Sequence, residues 1–459
     1  MYDLIFLGLF TLFVIFFIRK KKKNLGKESM LGLPVYLYRT QVGVKFIDYV
    51  SKKFGKALHV IKYAAIAVGY VLMATMIYII GKSLYIYIAF PQITEVIKAP
   101  PIAPLIPYFP QIFGVESLFP PFYFTYFIVA LAIVAVVHEF SHGIFMKLFK
   151  IKIKSTGFAF FGPFLGAFVE EEPKQMAKKS NLSQLSVLSA GVFANIIFAL
   201  IFFGLLVGFF NLTFTPSGYI FNTYSYSFIP ASQIAGFGNL SSNLTEVYTK
   251  TNGTYYLDSS LKSQLAKNYT ILTAYDDAPA IKSGMQGAIT SVNNIPIKES
   301  DDLKKFFSTT EPGENITITT IKDNKVFSYN ITLAANPLNS SIGYLGIGSL
   351  KPQTTGIVGG FMSLFTSFKD SSIYYQPRAN SELVIFIYDL LWWVMIINFL
   401  VGLFNMLPLG FLDGGRFFYL TVLSITKSKK ISNYSFRYIS YAIALIFLLM
   451  LVFWFIAII

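Results

Sequence analysis

The 459-residue chain is 54% hydrophobic and 17% aromatic but only 13% charged, which is too apolar for a soluble protein of this length. Its formal charge of +15 does not point to nucleic acid: the lysines and arginines gather in short loops beside apolar runs, as the positive-inside rule expects, and no basic–aromatic module accompanies them. The absence of cysteine excludes a disulfide framework, thiolate metal ligation and cysteine nucleophiles.

In chain order, the first apolar run extends from about Tyr2 to Ile18 and is followed at once by Arg19-Lys20-Lys21-Lys22-Lys23. A cleaved signal peptide carries its charge before the apolar run, so a retained anchor with an outer N-terminus is expected. The lysine-rich segment Arg19 to Lys62 reads as cytoplasmic. A second span covers Tyr63 to Ala89, and a proline-rich outer connection follows, up to Pro121. The third span, Phe122 to Phe149, returns to a cluster of lysines. Ser155 to Val169 is apolar, aromatic and interrupted by glycines. It is too short to span and reads as a buried or membrane re-entrant β-hairpin. A polar stretch, Glu170 to Ser186, leads to the fourth span, Val187 to Phe210.

At Asn211 the chain turns polar and alternating up to about Gly348, as in a soluble β-containing domain. Asn-x-Ser/Thr triplets begin at Asn211, Asn239, Asn243, Asn252, Asn268, Asn315, Asn330 and Asn339. An Asn-rich segment makes some of these by chance, yet their crowding agrees with an outward-facing domain. A fifth span (Leu383 to Leu407), a basic loop (Arg416 to Arg437) and a sixth span complete the chain. Threading the spans puts the basic loops on one side and the sequon-rich domain on the other. The fold expected is an α-helical polytopic membrane protein of about six transmembrane helices. Its blocks are 1–121, 122–210, an extracytoplasmic α+β or β domain at 211–348, and 349–459.

The third span contains His138-Glu139-Phe140-Ser141-His142-Gly143. Residues four apart share a helix face, so both imidazoles can reach one metal ion, with Glu139 beside it to act on a bound water. Unpaired ionisable groups inside a span are costly and therefore mark function; the bland alternative is a polar cluster that joins neighbouring helices. At 1.5 Å per residue His138 lies roughly 24 Å along the helix from Phe122, towards its cytoplasmic end. Zinc requires a third protein ligand, which here is a carboxylate or His59, the remaining histidine. His59 sits in the basic segment before the second span. Asp413 sits in Asn405-Met406-Leu407-Pro408-Leu409-Gly410-Phe411-Leu412-Asp413-Gly414-Gly415-Arg416, where proline and glycines interrupt a helix. Broken backbone at membrane depth survives only when it is protein-buried or lines a cavity. An Asp-Gly-Gly turn at the membrane surface is the other reading of the same residues.

HEFSHG in one span, LPLGFLDGGR in a later one and a polar insert between them resemble the site-2 protease family of intramembrane metalloproteases. The resemblance implies zinc held by His138, His142 and Asp413, Glu139 as catalytic base, and transmembrane proteins as substrates cut in regulated intramembrane proteolysis. Ser189 to Asn195 is similar to the family's Gly-x-x-x-Asn element, with Val192 where proline is common. Asn195 and Asn405 are thereby candidates for supporting the site or binding substrate backbone, against a plain helix–helix hydrogen-bonding role. The first two spans carry none of these motifs and are given no catalytic part.

Residues 265–335, with Ala278-Pro279-Ala280-Ile281-Lys282-Ser283-Gly284-Met285 and Gly287-Ala288-Ile289, resemble a PDZ domain of the bacterial protease type, which accepts a peptide as an added strand. Ala288 stands where an acidic residue is usual. The partners expected are transmembrane protein substrates, peptide segments at the PDZ-like domain and the lipid bilayer, with no nucleic acid. The expected location is the cell membrane, with the site near the cytoplasmic face. Rival readings are a membrane zinc transporter, an inactive PDZ-bearing adaptor, and an HExxH zincin with a later Glu as third ligand.

Overall fold

The computed structural model describes residues 2–21, 25–30, 33–90, 105–116, 119–161, 164–241, 244–258, 270–350, 363 and 367–458. Much of the proline-rich connection, the hairpin tip at 162–163, the sequons at Asn243 and Asn268, and the first residues of the 265–335 segment lie outside them. The chain divides into two compact units, Met1–Phe209 with Ile385–Ile459, and Phe210–Val384.

Among the described residues six helices are long and apolar enough to cross a membrane. They are α1 (Tyr2–Lys20), α3 (Gly55–Ala89), α4 (Phe124–Leu148), α5 (Asn181–Thr213), α6 (Ser381–Asn405) and α8 (Lys429–Ile458), with the shorter α2 (Val44–Lys53) and α7 (Asp413–Thr426) between them. Many of their large side chains face outward, among them Leu9, Leu12, Leu445, Leu448 and Phe455, as suits helices whose solvent is lipid. The protein is a multi-pass membrane protein.

The hairpin expected at 155–169 forms, as β3 (Ile153–Phe161) and β4 (Phe164–Glu171), but it is half of a larger sheet. The basic segment after α1 contributes β1 (Leu25–Met30) and β2 (Leu33–Thr40), giving a four-stranded antiparallel order β1-β2-β3-β4. Tyr38 pairs with Phe158 and Arg39 with Gly157; Gly157 pairs with Phe168 on the other side. A side chain at Gly157 would collide with the Phe168 ring, so the glycine makes room for an aromatic cross-strand neighbour. Among the described residues β4 is an edge strand.

Helix α4, which carries His138, Glu139 and His142, is held from several directions. No side chain near its own N-terminus caps it. Instead Asp3 of α1 accepts from the backbone N–H groups of Phe124 (2.8 Å) and Thr125 (2.9 Å), and from the Thr125 and Tyr108 hydroxyls. A carboxylate there satisfies otherwise orphaned donors and suits the positive end of the helix dipole. Near the other end of α4, Gly143 lets Ile47 of α2 and Val169 of β4 approach. Ile47, Phe145, Met146, Val169, Val187 and Ala190 belong to one buried cluster. The first two spans and the basic segment thus form much of the frame around α4.

Residues 413–426, expected within a basic loop, form α7. Gly414 and Gly415 read as helix breakers, yet they occupy the first turn of this helix. A Cβ at Gly414 would overlap the Met406 and Leu407 carbonyls, and one at Gly415 the Leu409 carbonyl. The glycines therefore allow α7 to fold back on the Pro408 turn, and the apolar run Phe417 to Leu423 then propagates it.

The second unit is built on its own core. A sheet combines Phe214–Ile220, Ala288–Val292, Asn315–Lys322, Lys325–Thr332 and Ile373–Pro377. Helix Ser300–Phe307 packs Leu303 on Ile289, Val292, Ile316 and Ile318. A second, five-stranded sheet includes Tyr226–Pro230, Ile234–Ser241, Leu244–Thr249, Thr254–Asp258 and Ile271–Asp276. This unit runs beyond Gly348 because Ile373–Pro377 pairs with Phe214–Ile220.

Candidate metal centre

On α4, His138 and His142 stand one turn apart, and both are 7% exposed. Asp413, the first residue of α7, meets them from 275 residues away in sequence. His138 Nε2 lies 3.1 Å from Asp413 Oδ2 and 3.0 Å from His142 Nε2, and His142 Nε2 lies 3.3 Å from Asp413 Oδ2. Among the described residues these three form the group whose His and carboxylate atoms gather within 4.8 Å.

The outer nitrogens decide what the inner ones can be. His142 Nδ1 lies 2.7 Å from the Val187 carbonyl, which can only accept, so Nδ1 carries the proton and a neutral ring presents a lone pair at Nε2. His138 Nδ1 faces the Asn195 amide, with Nδ2 at 3.1 Å; Asn195 Oδ1 is buried without a partner. Turned by 180°, that amide offers Oδ1 to an Nδ1–H of His138, and His138 then also presents a lone pair inward. Two imidazole lone pairs and a carboxylate at these separations repel unless a cation joins them. The edges of the triangle approach the roughly 3.3 Å expected between ligands of a tetrahedral ion with bonds of 2.0–2.1 Å. The residues present fit a metal ion with two nitrogen ligands and one oxygen ligand, whose histidines are oriented from behind.

The fourth side of the pocket is glycine. Gly191 of α5 lies so close to both rings that a Cβ would stand 2.5 Å from His142 Nε2 and 2.7 Å from His138 Cε1. Gly191 and Asn195, four residues apart, therefore put one helix face to two uses. The glycine admits the imidazoles and the amide holds one of them.

Residues 126–451 match the sequence model of Peptidase family M50. The chain belongs to Peptidase family M50. The family is one of membrane metalloproteases, and the matched stretch contains His138, His142 and Asp413. The chain is also similar to the uncharacterized protein MJ0971 of Methanocaldococcus jannaschii, 28% identical over 290 residues, 62% of this chain and 54% of that protein. It thus spans about half the length of that relative. A shorter similarity, 33% over 73 residues, or 16% of this chain and 14% of the other, connects it with probable periplasmic serine endoproteases, DegP-like, of Brucella suis and Brucella abortus.

Within this M50 site Glu139 is half-buried, and its Oε2 accepts a 3.0 Å hydrogen bond from the backbone N–H of Val169 on β4. Asn405, at the end of α6, is half-buried and makes no side-chain hydrogen bond among the described residues. His59 is exposed, with its ring edge-on to Phe149. Three features escaped the reading of the sequence. The Val169 N–H and the Val187 carbonyl are backbone groups, invisible in residue identity. Asn398, fully buried on α6, could have been found as a lone amide in an apolar run; its Nδ2 donates to Val394 O, and its Oδ1 has no partner. One turn later a Cβ added at Gly402 would stand 3.4 Å from Asn195 Cβ.

Proposed function

We propose that the chain is a site-2-type intramembrane zinc metalloprotease that hydrolyses peptide bonds of transmembrane proteins. The observation that carries the reading is the meeting of His138 and His142 Nε2 with Asp413 Oδ2 at 3.0–3.3 Å, with Glu139 the residue after the first ligand. Zinc is the metal that best suits two imidazoles and one carboxylate with a position left open. When bound, zinc supplies Lewis acidity, which brings the pKa of a ligated water to about 7 and polarises a carbonyl.

The protein's own residues do the rest. Glu139 takes the proton of the attacking water on its carboxylate and passes it to the leaving nitrogen. The Val187 carbonyl and the Asn195 amide fix the two rings through their Nδ1 atoms. A helical substrate has its carbonyls shielded by its own hydrogen bonds, so it must unwind and present an extended strand. The edge of β4 is the template for that strand, since among the described residues its outer side has no strand partner. In this reading the β-sheet is a membrane re-entrant element. The lysine-rich ends of the spans face the cytoplasm of a cell membrane, segment 211–348 lies on the outer side, and the PDZ-like part of it receives peptide segments.

The test compares membrane proteins that accumulate in cells carrying the intact chain or Glu139→Gln. Full-length or pre-trimmed membrane proteins accumulating with Glu139→Gln, while the variant still binds zinc, is the expected result. Identical membrane proteomes in both cells, with the zinc retained in both, would leave the protease reading without substrates and favour metal carriage.

A further inference from the structure

Three consecutive acids, Glu170-Glu171-Glu172, run over the end of β4, and each finds a different cation. Glu170 Oε2 accepts from Ser155 Oγ and pairs with Arg39 of β2; Glu172 pairs with Lys154. Glu171 reaches another element altogether. Its Oε1 lies 3.2 Å from Nη1 of Arg416, while Nη2 of the same guanidinium donates to Oε1 of Gln184 on α5 at 3.1 Å. Gln184 is only 6% exposed, and its Nε2 donates to the Lys179 carbonyl. The guanidinium is therefore held by two oriented acceptors from two elements, in the forked manner that arginine permits and lysine does not.

The sequence positions give this tie its meaning. Arg416 is three residues, nearly one helical turn, beyond Asp413 on α7. Glu171 is two residues beyond Val169 on β4, the residue whose N–H holds Glu139. A short path thus runs from Asp413 to the base: along α7 to Arg416, across the ion pair to Glu171, back along β4 to Val169, and through its N–H to Glu139. We infer that Arg416 and Glu171 are positioning residues for hydrolysis, which lock the edge strand β4 to the metal-ligand helix so that base, metal site and incoming strand share one register. Val169 turns its N–H away from β3, so a substrate strand added at this edge takes that N–H with one of its own carbonyls and releases Glu139 for proton transfer. The distance between that carbonyl and the metal is then set by the Arg416–Glu171 tie.

The inference rests on the protease reading, and its test separates the two. Glu171→Arg, Arg416→Glu, the double exchange and the milder Glu171→Gln and Arg416→Gln are measured in the full chain for kcat, KM, bound zinc and amide exchange along 166–171. Displacing the reacting groups by a fraction of an ångström predicts a kcat reduced by roughly ten-fold in the single variants, with KM and zinc content little changed. Faster exchange at the Val169 amide accompanies it, and the double exchange recovers most of both losses. A half-exposed ion pair that served stability alone would lower the melting temperature and leave kcat intact. Wild-type kcat and unchanged β4 exchange in Glu171→Gln and Arg416→Gln would overturn the inference. If the wild-type chain itself cleaves nothing, the protease reading falls, while the exchange data still report whether Arg416 holds β4.

Discussion

Replacing Gly191 by alanine adds one methyl group at the back of the metal site. The new Cβ would stand 2.5 Å from His142 Nε2, 2.7 Å from His138 Cε1 and 2.8 Å from His138 Nδ1, whereas ordinary contact begins near 3.4 Å. At least one ring, or α5 itself, must therefore move by about 1 Å, several times the ±0.2 Å or so that metal–ligand distances tolerate. Neither ring can yield freely, because Val187 O and Asn195 hold their outer nitrogens. Loss of ligand orientation costs about 10–100-fold in metal affinity, and overpacking of this kind costs about 1–3 kcal/mol of stability. The assay is zinc affinity by competition with a chromogenic chelator, with thermal unfolding in parallel. Gly204→Ala is the control on the same helix, since its Cβ would meet nothing within 4 Å. Gly191→Ala binding zinc as tightly as Gly204→Ala would refute the close approach of α5 to the histidines.

Asn195→Leu leaves His138 without its Nδ1 partner and is expected to weaken zinc binding by about 10–100-fold, read in the same competition assay. Asp413→Asn keeps the shape of the third ligand but removes its charge; equilibrium dialysis should show bound zinc falling while the far-ultraviolet circular dichroism stays that of the wild type. Asp3→Ala strips the borrowed cap from α4 and should lower stability by about 1–2 kcal/mol, seen as earlier thermal unfolding in detergent, with Asp3→Asn losing less. Chelation should abolish cleavage of a membrane reporter, and zinc readdition should restore it.

The parts of the fold set by local pattern were legible in the sequence. Six apolar runs gave six helices of spanning length, and the HExxH spacing put two imidazoles on one face of α4. Asp413 was harder, because Pro408, Gly410 and the glycine pair read equally as a surface turn. The resemblance selected it, and the geometry brings it to within 3.3 Å of both rings. Two features of the fold were hidden from the sequence. Gly414 and Gly415 read as helix breakers, but their lack of Cβ is what lets the backbone of α7 pack on residues 406–409. The lysine-rich segment before α2 shows in its sequence only its charge, but β2 within it pairs with β3, with Tyr36 opposite Phe160. Pairing across more than a hundred residues leaves no mark in a local window. The role of Asp3 was hidden in the same way, as a single carboxylate at the start of an apolar run that caps a helix two spans later.

The most direct measurement is cleavage of a purified transmembrane reporter by the zinc-loaded full chain in vesicles, beside Glu139→Gln carrying the same zinc. The account predicts products cut within the reporter's span for the wild type and none for Glu139→Gln. Equal cleavage by both proteins at equal zinc content would contradict it.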